Sequence, residues 1–138
     1  IYKQHIMEEL IKKHYTDGIY SDLYRRLFKN NGICAKDIEY VDVFKAIEAI
    51  KDDGGMAILA HPGQLNSYDI IEKLVDFGLD GIEINHHSHT DEDIVKIQRI
   101  AKRLNLILTG GTDFHGNYGS LDINIGDLRC PEEYLKFF

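Results

Sequence analysis

Three short apolar runs, separated by amphipathic segments, restrict the folds open to this chain. The runs occupy residues 56–60, 81–84 and 106–109, and their starts lie about 25 residues apart. Apolar runs of this length, bounded by glycines and alternating with helical patterns, are typical of buried parallel strands. Because crossovers between parallel strands are right-handed, consecutive strands are expected side by side in one sheet. The sequence therefore predicts an α/β fold with three parallel strands and helices.

Five segments show the apolar period of amphipathic helices. At the start of the fifth, Thr90 and Asp93 resemble a capping box in which Asp takes the place of Glu. Helical patterns dominate before the first strand, which predicts a helical segment over residues 1–50 and a β/α segment over residues 51–138. The five predicted helices begin near Ile6, after Ser21, at Asp42, near Ser67 and at Thr90.

Length and charge exclude several classes of protein. The 138 residues suit one domain, but a complete (β/α)8 barrel needs about 250 residues. The 16 Lys and Arg against 23 Asp and Glu give a net charge of −7, which argues against unspecific binding of nucleic acid through a basic surface. No apolar run is long enough for a membrane-spanning helix, and no signal peptide is recognisable, so no membrane partner is expected.

Cysteine use and the first residues bear on location and processing. Cys34 and Cys130 are widely separated, which is typical neither of a disulfide framework nor of a zinc knuckle. We therefore expect a reducing, cytoplasmic location. The sequence begins Ile1-Tyr2-Lys3 without a methionine, as a fragment or a processed product would.

Histidine and aspartate side chains follow all three predicted strands. The first strand runs into His61, the second into residues 85–89 and the third into residues 110–116, so five of the seven histidines fall in these loops. The carboxyl ends of parallel strands lie at one edge of a sheet, where α/β proteins place their sites. The sequence therefore predicts a metal site at this edge.

Asp113 and His115 are the most specific part of this pattern. In an extended chain, residues i and i+2 project to the same side, about 6.6 Å apart at Cα. Both side chains can therefore reach one metal ion, or two ions about 3.5–4 Å apart. A carboxylate combined with imidazoles suits Zn, Mn or Fe.

Each of these residues also has a purely structural explanation. A single histidine after a strand is more often a hydrogen-bonding loop residue than a ligand, and Asp113 could serve as a turn residue. Residues 86–89 could form a solvated loop leading into the next helix. The structural explanation weakens because all three loops share one edge. Glu83, in the middle of the second strand, is a weaker candidate that could face the interior of a barrel.

Four segments resemble motifs of one known family. In order and spacing they are similar to the PHP superfamily of metal-dependent phosphoesterases, and within it to the 3′,5′-nucleoside bisphosphate phosphatase-like branch, whose relatives also trim RNA ends. The helical residues after His5 resemble the helical insertion of that branch. The whole is similar to the C-terminal half of such an enzyme. The matching segments are Gly54–Gly63, Gly78–Ile84, Ser88–Thr90 and Gly110–Gly116.

The resemblance implies a fold, a metal content and a reaction. The fold is a distorted (β/α)7 barrel, here only its C-terminal part, and the complete site holds two or three divalent ions of Mn, Zn or Fe. His61, Asp113 and His115 are implied as metal ligands, and His86 and His89 as catalytic residues near the substrate phosphate. The implied reaction is hydrolysis of phosphomonoesters by metal-activated water, with a small phosphorylated substrate that is a nucleotide such as a 3′,5′-nucleoside bisphosphate, or with RNA ends.

Two alternative functions stay open. The chain lacks the ligands that the family's first half supplies, so it could be a catalytically incomplete fragment that acts as a metal-binding or interaction module. An amidohydrolase-like metal hydrolase also uses histidines and a late aspartate at strand ends, although the Gly-Thr-Asp-Phe-His and Ala-His-Pro contexts favour the phosphoesterase. Unpaired sheet edges predict association with a missing N-terminal half or self-association.

Overall fold

The computed structural model describes residues 1–36, 38–119 and 122–138. Its contacts divide the chain into two compact units. One comprises residues 1–40 with 116–120, and the other comprises residues 41–115 with 121–138. The first unit is helical, whereas the second contains the sheet and the three loops predicted to carry a site.

The helical unit is built around a small core of aromatic and apolar side chains. Its helices are α1 (Lys3–Lys12) and α2 (Asp22–Phe28), which confirms the helical periodicity of this segment. Ser21 caps α2, because its hydroxyl accepts a hydrogen bond from the backbone N–H of Tyr24. The buried core of this unit consists of Met7, Tyr24 and Phe28.

The second unit is organised on a three-stranded parallel sheet. The strands lie side by side in chain order, and the central strand pairs in parallel with both neighbours. The predicted α/β architecture, a part of a barrel with three parallel strands, is confirmed. The strands are β1 (Ala57–Leu59), β2 (Leu79–Asn85) and β3 (Ile107–Gly110).

Three helices accompany the sheet, namely α3 (Val43–Asp52), α4 (Ile71–Asp76) and α5 (Asp91–Leu104). The predicted capping box of α5 is confirmed, with reciprocal hydrogen bonds between Thr90 and Asp93. The fourth helix was predicted from Ser67 onward, but Ser67–Ile70 forms a 3-10 turn that precedes α4. Such turns commonly begin α-helices. Among the described helices, none is long and apolar enough to cross a membrane.

The core of the second unit lies on the face of the sheet that packs against the helices. Along β2, Ile82 and Ile84 are 0% and 4% exposed, whereas Glu83 between them is partly exposed, as the two-residue period of a strand requires. Each fully buried Ile contributes about 1.5–3 kcal/mol relative to an exposed one. The buried core residues are Ile47, Ala57, Tyr68, Ile71, Leu74, Leu79, Ile82, Ile84, Ile97, Ala101, Leu106 and Leu108.

Helix α3 belongs to the unit that contains the sheet. Its Ile47 is buried in the core of that unit, and Lys51 forms a salt bridge with Asp80 of β2 at 2.8 Å. The contacts divide the two units after residue 40, and the domain boundary expected from the sequence at residue 50 stays a prediction. The interpretation of residues 1–50 as a helical insertion stays a prediction.

The chain after β3 returns to the sheet, which the sequence did not predict. Gly111 and Arg129 form an isolated antiparallel bridge. The side-chain amide of Asn85 donates a hydrogen bond of 2.8 Å to the carbonyl oxygen of Arg129. Tyr134, in the 3-10 helix Glu132–Phe137, packs against the core. The tail therefore pairs with the backbone immediately beyond the end of β3.

Candidate metal centre

The loops after the three strands meet at the carboxyl edge of the sheet. β1 leads into His61, β2 into His86 and His87, and β3 into Asp113. The ring centroids of His61 and His86 are 4.8 Å apart, and those of His86 and His87 are 4.2 Å apart. Side chains separated by many residues in the sequence therefore share one small volume.

Three side chains place their ligand atoms together. One ligand atom each from His86, His87 and Asp113 lies within 4.8 Å of the others. Nε2 of His86 is 3.5 Å from Oδ2 of Asp113, and Nε2 of His87 is 3.8 Å from the same oxygen. Two ligands of a tetrahedral ion with bonds of about 2.0–2.1 Å lie about 3.3 Å apart. The separations in this group are somewhat longer than this, and the three donors form a group that could hold a metal ion.

His86 is the buried member of this group. Its side chain has no exposed surface, and its Nε2 has no hydrogen-bond partner among the described residues. Burial is the main cause that lowers the pKa of His86, while the nearby carboxylate of Asp113 opposes this effect. His86 is therefore held toward the neutral imidazole, which is the form that binds metal ions.

Ser88 faces the other ring nitrogen of His86. Nδ1 lies 2.7 Å from the Ser88 hydroxyl oxygen and 3.2 Å from the Ser88 backbone nitrogen, whose N–H can donate to it. The bond from the Ser88 N–H belongs to the ring form in which Nδ1 is an acceptor. In the other neutral form the proton is on Nδ1, which leaves Nε2 free for a metal ion, and the Ser88 hydroxyl can accept a hydrogen bond from that proton. Such an outer partner selects the ring form of a ligating histidine.

His87 is the member of the group for which the sequence predicted no role. Adjacent residues of an extended chain project to opposite sides, so a ligand pair at positions 86 and 87 is not expected from spacing. The structure turns the chain here, because the N–H of His89 donates to the carbonyl oxygen of His86 at 3.0 Å. The only available sequence signal was the density of histidines in residues 85–89.

His61 lies next to this group but outside it. Its ring stands beside that of His86, and its backbone N–H donates a hydrogen bond of 2.8 Å to Oε2 of Glu83. Its φ of 27° is unusual for a residue other than glycine. Strained backbone of this kind persists only where surrounding contacts hold it, and it concentrates at functional sites. The role of His61 as a metal ligand stays a prediction.

His115 lies beside Asp113 but is not one of the three residues whose ligand atoms converge. Its Nδ1 lies 2.5 Å from the backbone carbonyl oxygen of Asp113 and 3.8 Å from Oδ1 of the same residue. The ring is largely exposed, and Asp113 has a left-handed φ of 50°. The shared ligation predicted for Asp113 and His115 stays a prediction.

Both ring nitrogens of His89 are engaged with the backbone. Nδ1 lies 2.7 Å from the carbonyl oxygen of Ile84, and Nε2 accepts a hydrogen bond from the N–H of Gly63 at 3.2 Å. Proton transfer to a substrate, the role predicted for His89, would require one of these bonds to break. That role stays a prediction.

Solved structures share this arrangement of strands and helices. The crystal structure of a protein from Bifidobacterium adolescentis, described as a metal-dependent phosphoesterase, matches 99% of this chain with a TM-score of 0.73 at 24% identity. An amidohydrolase structure from Chromobacterium violaceum, with bound sulfate and no metal, matches 83% of the chain with a TM-score of 0.64 at 25% identity. At this identity the first structure establishes the fold alone.

Three proteins with named activities are similar to this chain in sequence. The phosphoribosyl 1,2-cyclic phosphate 1,2-diphosphodiesterase of Eggerthella lenta is 50% identical over 119 residues, or 86% of this chain. The 3′,5′-nucleoside bisphosphate phosphatase of Chromobacterium violaceum is 37% identical over 82 residues, or 56% of this chain. The resemblance to the PHP-type phosphoesterases is confirmed. A 5′-3′ exoribonuclease of Haemophilus influenzae is also similar, at 34% identity over 90 residues.

The matches cover only part of each relative. This chain spans 45% of the Eggerthella lenta enzyme, 29% of the Chromobacterium violaceum phosphatase and 49% of the Bifidobacterium adolescentis structure. No family model matches the chain. The chain is therefore similar to about half, or less, of each of these relatives.

Proposed function

We propose that these residues form part of a metal-dependent phosphoester hydrolase. The group formed by His86, His87 and Asp113 carries this proposal. Its central nitrogen, Nε2 of His86, is buried and without a hydrogen-bond partner among the described residues. A buried polar atom in that condition costs free energy, and ligation of a metal ion would satisfy it. Similarity to a diphosphodiesterase and a phosphatase supports the same reaction class.

In this proposal Asp113 and histidines at the edge of the sheet are metal ligands. Two imidazoles and one carboxylate hold a divalent ion, which moves His86 from the phosphate contact predicted for it to the metal ligands. His61 and His115, at the rim of the group, complete neighbouring coordination positions. A bound divalent ion supplies Lewis acidity and lowers the pKa of a bound water molecule. Burial lowers the pKa of His86, which favours the neutral imidazole whose Nε2 can serve as a ligand.

The substrate class is a ribose phosphate ester. The nucleotide substrate expected from the sequence is one candidate, supported by the 37% identity to a nucleoside bisphosphate phosphatase. The 50% identity to a phosphoribosyl cyclic phosphate diphosphodiesterase favours a phosphoribosyl 1,2-cyclic phosphate. We propose the cyclic phosphate as the first substrate to test and the nucleoside bisphosphate as the second.

The proposed partner of this sheet is the set of remaining strands of a barrel, which would pair with its two outer strands. β1 and β3 are the outer strands, each hydrogen-bonded to β2 on one side. Unpaired strand edges favour pairing with further strands. The tail bridge at Gly111 and Arg129 lies beyond the end of β3. We propose that the N-terminal half of a barrel pairs with these edges, and that a second copy of the chain does so in its absence.

Two further properties belong to the proposal. We propose a cytoplasmic protein, which is supported by the free thiols of Cys34 and Cys130. Two or three divalent ions in the complete site would activate the catalytic water, and the described residues offer ligands for at least one of them.

The first experiment separates metal binding from catalysis. The chain is equilibrated with Mn²⁺ or Zn²⁺ and dialysed, and its metal content is measured beside that of Asp113→Ala. We expect about one retained ion per chain and its loss in the variant. Equal metal content in both proteins would contradict the proposed site.

The second experiment tests the reaction in the complete polypeptide that contains these residues. With Mn²⁺, we expect hydrolysis of phosphoribosyl 1,2-cyclic phosphate in preference to a nucleoside 3′,5′-bisphosphate, and loss of both activities in Asp113→Ala. Metal binding without hydrolysis of either ester would support the alternative, a metal-binding module. Hydrolysis of an amide panel instead would support the amidohydrolase alternative, which the similarity to an amidohydrolase structure favours.

A further inference from the structure

Two side chains from β2 and the loop that follows it hold the backbone of the turn after β1. We call residues 61–63 the His61 turn. Glu83 accepts a hydrogen bond of 2.8 Å from the N–H of His61, and His89 accepts one of 3.2 Å from the N–H of Gly63. Both acceptors are therefore supplied to the same three-residue stretch, one at each end.

The bond from His89 has a defined direction. A backbone carbonyl can only accept, so the contact of 2.7 Å between Nδ1 and the carbonyl oxygen of Ile84 requires the ring proton on Nδ1. Nε2 of the neutral ring is then an acceptor, and the N–H of Gly63 supplies the matching donor. His89 thus links the end of β2 to the His61 turn through its two nitrogens.

The backbone of the His61 turn packs closely against the side chains of His89 and Asp93 at Gly63. A Cβ added there would lie 2.6 Å from Cδ2 of His89 and 2.9 Å from Cγ of Asp93, distances that real Cβ atoms do not show. Pro62, between the two bonded N–H groups, is among the fully buried side chains. Only a glycine permits this approach of the turn to the imidazole.

The backbone at His61 needs such support. Its φ of 27° is strained for a residue with a Cβ. Pro62 further restricts the backbone of His61, because a proline ring disfavours the α-helical region of φ and ψ for the residue that precedes it. A conformation of this kind persists only when neighbouring contacts determine it. The bonds from Glu83 and His89 are contacts of that kind.

We propose that His89 and Glu83 are positioning residues that place the His61 imidazole beside His86, where the ring centroids are 4.8 Å apart. This inference rests on the proposed metal-dependent function. It assigns His89 a role through the His61 turn and not through contact with the substrate. Glu83, a weak candidate from the sequence alone, acts through the backbone of His61.

The test compares His89→Ala with His89→Gln, whose side-chain oxygen can still accept from Gly63, in the full 138-residue chain. The first readout is amide hydrogen exchange followed by NMR. We expect the Gly63 amide to exchange about tenfold faster in His89→Ala and to regain most of its protection in His89→Gln. His14→Ala, a change at an exposed histidine of the helical unit, is the matched control and should leave this amide unchanged.

The second readout is the visible absorption spectrum of the chain loaded with Co²⁺. We expect an altered spectrum in His89→Ala and recovery in His89→Gln, since a displaced His61 turn changes the surroundings of the ion. Unchanged Gly63 exchange in His89→Ala, or an altered spectrum in both variants with normal exchange, would overturn the inference.

Glu83 provides an independent variant in case His89→Ala fails to fold. Glu83→Gln keeps an oxygen that accepts from His61, and Glu83→Ala removes it. Faster exchange of the His61 amide is expected in the alanine variant alone, and equal exchange in both would contradict the proposal. The amide readout does not need metal, so absence of Co²⁺ binding by the unaltered chain would refute the proposed function and leave the test of the turn intact.

Discussion

Nε2 of His86 lies 3.5 Å from Oδ2 of Asp113, although the two residues follow different strands of the sheet. This separation exceeds the usual 2.7–3.2 Å of an N–H···O hydrogen bond. The buried nitrogen therefore faces a carboxylate without forming a bond to it, and Nε2 of His87 approaches the same oxygen. Two nitrogens and an oxygen that converge in this way are suited to share a cation.

Asp113→Asn should weaken metal binding by more than about 100-fold, since even outer partners of ligands are worth about 10–100-fold. The amide removes the negative charge and retains the shape of the side chain. Isothermal titration with Zn²⁺ measures the change. Asp91→Asn, at an exposed carboxylate in the first turn of α5, is the matched control. Equal loss in both variants would indicate a general effect of charge and not a site.

Ser88→Ala should weaken metal binding by about 10–100-fold, because it removes the hydroxyl oxygen that lies 2.7 Å from Nδ1 of His86. Without that acceptor, the proton on Nδ1 loses its partner, and the form with a free Nε2 becomes less favourable. Ser88→Thr retains the hydroxyl and should bind metal nearly as well as the unaltered chain. Competition with a chromogenic chelator measures both affinities. Unchanged affinity in Ser88→Ala would exclude this role of the hydroxyl.

Asp93→Asn should remove a pH-dependent part of the stability. The hydrogen bond from the Tyr68 hydroxyl is the main cause that lowers the pKa of Asp93 to about 2, from an ordinary value of 3.8. A depressed carboxyl pKa stabilises the folded state above the unfolded-state value, and this contribution is lost as the pH falls from about 4 to about 2. Urea unfolding at several pH values across that range measures the slope.

Tyr68→Phe provides the second variant for this test, because it removes the hydroxyl and keeps most of the buried ring. The pKa of Asp93 should then move toward its ordinary value, and the pH-dependent part of the stability should shrink. An unaltered slope between pH 4 and pH 2 in both variants would show that this pair does not govern acid stability.

Gly110→Ala should destabilise the chain by about 1–3 kcal/mol, the usual cost of overpacking. A Cβ at this position would lie 2.5 Å from Cβ of Asn85 and 2.7 Å from the carbonyl oxygen of Arg129. The adjacent Gly111 has nothing within 4 Å of its would-be Cβ, so Gly111→Ala is a matched control with little expected effect. Thermal unfolding distinguishes the two. Equal melting temperatures would show that the tail does not pack against the end of β3 in solution.

Local patterns were sufficient to predict most elements of the fold. The apolar runs became β1, β2 and β3, and the capping box of Thr90 and Asp93 starts α5. These features depend on side-chain period and on hydrogen bonds between neighbouring residues, which a sequence displays directly. The 3-10 turn at Ser67–Ile70 was not predicted, because the helical period of that segment does not distinguish it from an α-helix.

Contacts between distant segments could not be predicted. The pairing of Gly111 with Arg129 joins a strand end to a tail without any periodic pattern. The hydrogen bond between Tyr68 and Asp93 joins two helical segments that are 25 residues apart in the sequence. The distance between these segments in space is set by the pairing of the strands that they connect. No local propensity encodes such pairs, because their geometry exists only after the elements have packed.

The sequence alone determined which loops carry side chains that can bind metal, because the carboxyl ends of parallel strands lie at one edge of the sheet. Which of those side chains converge was decided by the tertiary structure. The turn after β2 brings His87 beside His86, and the path of the loop after β3 places Asp113 against both. The same turn directs His89 to the backbone of Gly63. A sequence specifies ligand types and their spacing along the chain, whereas the convergence of atoms within a few ångströms depends on backbone angles that only the packed structure sets.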